Sequence, residues 1–72
     1  MMFKPKGDFM SVIFEILKDR CNYNSDKTDY LDVIERKVIA RGYSSTEFNL
    51  TLKNYENLNV IMIEDNKVRL LS

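Results

Sequence analysis

The chain has no histidine and no tryptophan, one cysteine, one proline, two glycines and no excess of either charge among its 72 residues. Each absence excludes a class of function. Without histidine there is no imidazole acid–base catalysis, no Ser/His or Cys/His nucleophilic pair and no His-ligated metal site. One thiol, Cys21, can form neither an intramolecular disulfide nor a thiolate zinc site, and the lack of a disulfide framework in so small a domain points to a reducing, intracellular setting. Gly7 and Gly42 stand far apart, so neither a P-loop nor a dinucleotide-binding glycine fingerprint exists. No run approaches the ~20 apolar residues of a membrane span. The amino end, from Met1 to Gly7, lacks the ~7–15-residue apolar stretch of a signal peptide. Eleven Lys and Arg against eleven Asp and Glu argue against a nonspecific polyanion binder, whose affinity rests on the phosphates it neutralises.

What is present is a globular composition, 44% hydrophobic and 31% charged. One domain fits and two do not, because a chain this short buries only ~60% of the surface exposed by its unfolded form. A single core of this size supplies ~3–5 kcal/mol, leaving little to support a strained, water-excluding active site.

After the breaker Lys4-Pro5-Lys6-Gly7, the residues Phe9, Val12, Ile13, Ile16 and Leu17 recur at helical spacing. They predict a first helix over residues 9–21 with Asp8 as N-cap and Lys18 and Arg20 in the last turn. Residues 1–7 read as a flexible leader and 8–72 as the domain. Asn22 to Lys27 is turn chemistry, with Tyr23 placed to anchor a very short strand or to pack over the core. A second helix is expected from near Thr28, with Asp29 and Asp32 favouring its dipole, a buried stripe of Tyr30, Leu31, Ile34 and Val38, and Gly42 as a left-handed stop. The third helix carries the best local signal. Ser44 and Glu47 form an S-x-x-E capping box, and Tyr43 and Phe48 occupy the hydrophobic-staple positions around it. Phe48, Leu52 and Tyr55 share its inner face. Beyond Asn59 the period becomes two, and a turn at Asp65-Asn66 sets Ile63 opposite Val68 and Ile61 opposite Leu70 on an aliphatic side, with Met62 and Arg69 on the other. Three helices followed by a hairpin define an α+β, mainly α fold in the winged-helix order, the hairpin forming a two-stranded wing.

No catalytic, metal or cofactor residue is assigned. Asp29 with Asp32 reads as helix-dipole stabilisation, and Cys21 as a small, partly buried hydrophobe. The outer face of the third helix presents Thr46, Leu50, Lys53, Asn54 and Asn57, with one positive charge. Leu50 there reads either as a protein-contact anchor or as a solitary exposed leucine. With Met62 and Arg69 these residues make the candidate partner surface. For DNA the candidates are Asn49 and Lys53 with Asn54 in the groove, and Lys67 and Arg69 on phosphates. Glu47, Glu56, Glu64 and Asp65 oppose that docking.

The segment Arg41-Gly42-Tyr43-Ser44-Ser45-Thr46-Glu47-Phe48, continuing through Leu52 and Tyr55-Glu56-Asn57-Leu58-Asn59-Val60, resembles the carboxyl-terminal tail of minichromosome maintenance (MCM) replicative helicase subunits. The likeness is strongest to the seventh subunit of the eukaryotic hexamer and is densest over residues 35–63. It implies a winged-helix domain from the end of a nuclear, ATP-driven DNA-unwinding subunit of replication licensing, its motor motifs absent here. Leu71-Ser72 would then lie near the parent's natural end, with Met1 opening an expressed fragment. The implied role is regulatory, in contact with other MCM subunits and with helicase-loading and origin-recognition factors. The family assigns no catalytic residue to this stretch. The isolated domain is expected to be monomeric, with weak DNA contact at most.

Overall fold

The computed structural model describes residues 7–71. Their order is α1 (Gly7–Tyr23), β1 (Thr28–Tyr30), α2 (Leu31–Ala40), α3 (Ser45–Asn57), β2 (Ile61–Glu64) and β3 (Lys67–Leu70). The mainly α, α+β class follows the expectation. Of the anticipated leader, residues 1–6 lie outside the described residues, and Gly7 opens α1. α1 is longer than predicted at both ends, so Asp8 lies within the helix rather than at its N-cap. Ile13, Ile16, Leu17 and Cys21 form its buried stripe.

The second helix starts three residues later than predicted, because Thr28–Tyr30 is a strand. Thr28, Asp29 and Tyr30 pair antiparallel with Arg69, Val68 and Lys67, giving a three-stranded sheet in the order β1-β3-β2 instead of a two-stranded wing. Side chains in the preceding turn hold this backbone extended. The Asp26 carboxylate accepts from the Thr28 amide (3.2 Å) and hydroxyl (2.9 Å), and Asn24 donates to the Thr28 carbonyl (2.7 Å). Tyr30, placed in the buried stripe by its spacing, is 50% exposed on the outer face of the sheet. Asp29, expected to serve a helix dipole, is instead 8% exposed and accepts from Arg20 Nε and the Tyr30 amide, each at 2.9 Å. α2 has no side-chain cap; its first amide, Leu31, donates to the Asn66 carbonyl in the hairpin turn (2.8 Å).

Both later helices end in the same way. The Gly42 amide donates to the Ile39 carbonyl and Tyr43 to Val38; likewise Asn59 donates to Glu56 and Val60 to Tyr55. These are the paired bonds of a Schellman stop, with Gly42 (φ 101°) and Asn59 (φ 62°) in the left-handed position. Tyr43 thus closes α2 and also occupies the staple position before α3, so the short connection between the helices is fixed from both sides. The capping box is complete: Ser44 Oγ accepts from the Glu47 amide (3.1 Å), and the Glu47 carboxylate accepts from the Ser44 amide (2.9 Å).

The hairpin has the predicted register, with Ile61 opposite Leu70, Met62 opposite Arg69 and Ile63 opposite Val68. Asp65 (φ 51°) and Asn66 (φ 63°) are both left-handed, as a type I′ turn requires. Ile61, Val68 and Leu70 face a single core shared with Ile34, Val38, Phe48, Leu52 and the buried stripe of α1.

Candidate partner-docking surface

α3 packs Phe48, Thr51 and Leu52 inward, and the buried Thr51 hydroxyl is satisfied by donating to the Glu47 carbonyl (2.9 Å). Its opposite face follows from the 3.6-residue period. Thr46, Leu50, Lys53 and Asn57 are exposed there, and Asn54 is half-buried beside them. Leu50 is 49% exposed amid polar neighbours. Asn49 and Glu56 are exposed on the flank of the helix, while the Glu47 carboxylate is engaged in the capping box. Lys53 is therefore the one formal charge on the outer face, as read from the sequence.

The wing residues sit on the outer face of the sheet. Met62, 43% exposed, and Arg69 are cross-strand partners, and Arg69 in turn faces Thr28. Lys67 pairs across the sheet with Glu64 on one side and Tyr30 on the other, its ammonium 5.1 Å from the Tyr30 ring centroid. Met62, Lys67 and Arg69 line one open depression of about 280 Å³ with Thr28, Glu64 and Asp65. Two cations and two carboxylates share this lining, so positive and negative charge balance where a phosphate backbone would approach.

Sequence reasoning missed the strand β1 and, with it, the polar cluster of Asn24, Asp26, Thr28, Asp29 and Arg20. The only local signal is the turn-forming run Asn22–Lys27 ahead of Thr28 and Tyr30, two residue types enriched in strands. Hydrogen bonds from Thr28, its side chain first and then its backbone, hold the Asp26 carboxyl below the ordinary carboxylate range. Cys21 is fully buried, and its Sγ donates to the Val68 carbonyl at 3.6 Å. Burial, reinforced by the charges of Asp29 and Asp26, pushes its thiol up to about 11. It is a packing residue, not a nucleophile. Among the described residues no group of three or more His, Cys, Asp or Glu side chains converges to hold a metal ion. No helix among them is long and apolar enough to cross a membrane.

Three helices joined to a three-stranded sheet, with a capped third helix directly before the hairpin, define a winged-helix domain, a non-catalytic type of module. The family model described as DNA replication licensing factor MCM7, winged helix, matches residues 11–71, and the chain belongs to that family. No curated protein and no solved structure matches the chain.

Proposed function

We propose that the chain is a regulatory interaction domain of a replication licensing helicase subunit. It supports helicase loading in the nucleus by docking on other subunits of the hexamer and on helicase-loading or origin-recognition factors. The observation that carries this reading is Leu50. A half-exposed aliphatic side chain centred on a helix face with a single charge suits a protein partner, which can desolvate it, better than a polyanion. Thr46, Lys53, Asn54 and Asn57 would supply the polar rim around it, and Met62 with Arg69 an adjoining contact on the wing. Titrating the isotope-labelled chain with fragments of loading and origin-recognition factors tests the reading by amide shifts. The expected outcome is perturbation along α3 at Leu50 and Lys53, with binding weakened roughly tenfold or more in Leu50→Ala, whose exposed position leaves the fold intact. Shifts that avoid this face with every such partner reject it.

A second reading is favoured by one feature, the alignment of Lys67 and Arg69 on the outer face of β3. With Lys53 and Asn49 they would hold a duplex weakly. The ATP-dependent motor would belong to the parent protein in either case. Three phosphate contacts predict a shallow salt dependence, with a slope of about −0.9 per phosphate. Fluorescence anisotropy at low salt that shows no duplex or single-strand binding at high micromolar chain removes this reading.

A further inference from the structure

A groove between α1 and α2 has the opposite character to the charge-balanced wing. Arg20, Val33, Arg36, Lys37 and Ala40 line a cavity of about 400 Å³. Val33, Arg36, Lys37 and Ala40 recur at i, i+3, i+4 and i+7, so one face of α2 forms a wall, and Arg20 projects from the last turns of α1. Three cationic side chains line this cavity, and with Arg20 ion-paired to Asp29 two positive charges are left uncompensated there, in a chain whose formal net charge is zero.

Arg20 is held in place. Its Nε donates to the buried Asp29 carboxylate at 2.9 Å, and its guanidinium carbon lies 5.3 Å from the Tyr23 ring centroid. The terminal nitrogens of the planar fork remain as donors, so the entropy of ordering this arginine is already spent before any ligand arrives. Arg36 and Lys37 are exposed and, among the described residues, have no ion-pair partner. Val33 and Ala40 place an apolar strip between the cations.

We propose that this groove docks an acidic peptide segment that alternates carboxylates with aliphatic side chains. Carboxylates would bind the arginine fork and the lysine, while an aliphatic side chain covers Val33 and Ala40. A sugar–phosphate backbone satisfies the cations but leaves the apolar strip without a partner, so the lining favours a peptide. None of the lining residues belongs to α3 or the hairpin, and the groove therefore stands or falls separately from the Leu50 surface.

The test is an amide-resolved NMR titration of the chain with a short peptide of interspersed glutamate and leucine. Control titrations use a glutamate–serine peptide and a short DNA duplex. The expected result is perturbation at Val33, Arg36, Lys37 and Ala40, saturable at micromolar to millimolar peptide and weakened by salt because rim charges are screened. The glutamate–serine peptide should bind more weakly. Arg36→Gln with Lys37→Gln, both at exposed positions, should lower affinity several-fold with a nearly unchanged melting curve, since the peptide carboxylates lose two cationic partners while helix propensity is kept. Shifts confined to other surfaces, equal binding of the serine peptide, tighter binding of the duplex at these amides, or an unaffected double variant would each overturn the proposal.

Discussion

At the scale of the residue, the polar cluster behind β1 explains why several side chains have roles unlike those their spacing suggests. Asp29 looks like a helix-start acid in the sequence but is a buried partner of Arg20. Cys21, one turn of helix beyond Leu17 and facing β3, was legible as a small hydrophobe because apolar periodicity places it on the inner face of α1. What was not legible is its electrostatic setting, which depends on a strand contributed by a different segment. A thiol raised from 9.0 to about 11 prefers its neutral form in the folded state. The resulting stabilisation is complete below the unfolded value and is lost as pH rises through 9 toward 11. A shift of this size corresponds to ~2–3 kcal/mol. Urea unfolding of the chain and of Cys21→Ala across that range should therefore show the wild type losing its advantage at alkaline pH, with the two curves converging by roughly that amount. Parallel curves would mean that the thiol titrates alike in both states. Asp26 acts in the opposite direction. Its lowered value adds stability above the ordinary carboxylate range that disappears on acidification through the folded value.

At the scale of the element, legibility followed how local the determining contacts are. The start of α3 was readable to the residue because its capping box and staple lie within six consecutive positions, and the hairpin was readable because a two-residue turn fixes its register. β1 was not, since three residues carry no periodicity and their pairing partners are Lys67, Val68 and Arg69. The start of α2 was missed for the same reason: the carbonyl that receives the Leu31 amide belongs to Asn66. The outer face of α3 could be read from the 3.6-residue period, whereas the α1–α2 groove adds Arg20 of α1 to a periodic face of α2, a juxtaposition that neither helix shows alone. The two Schellman stops offer a matched comparison of glycine and asparagine in the left-handed position. A Cβ at Gly42 meets no atom within 4 Å, so substitution there strains the backbone alone. Gly42→Ala should cost about 1 kcal/mol, and Asn59→Gly should be neutral to stabilising by up to ~1 kcal/mol. Chemical denaturation of both variants checks the pair. A Gly42→Ala variant as stable as the wild type would show that the stop after α2 relaxes to another conformation.

At the scale of the whole molecule, the sheet and the helices share one core, so the wing is not an appendage that can open by itself. Val68 is the centre of that arrangement. It is fully buried on the middle strand, lies between Asp29 and Ile63 in the register, and its carbonyl receives the Cys21 thiol. The hairpin turn also caps α2 through Asn66, so fraying of the wing removes the bond that satisfies the first amide of that helix. Removing two methyl groups at Val68 forfeits ~1.6 kcal/mol of transfer free energy, and the cavity left behind brings the loss to ~2–3 kcal/mol. A core of this size supplies only ~3–5 kcal/mol in total, so Val68→Ala should bring the chain to the edge of unfolding. Because the core is common to all elements, the helical signal in far-UV circular dichroism and the fluorescence of the four tyrosines, of which Tyr30 lies in the sheet and Tyr43 and Tyr55 pack against the core, should shift together to lower denaturant. If the helical signal instead kept its wild-type midpoint while fluorescence moved, the wing would be a separable unit. The contacts through Cys21, Asp29 and Asn66 predict the coincident transition.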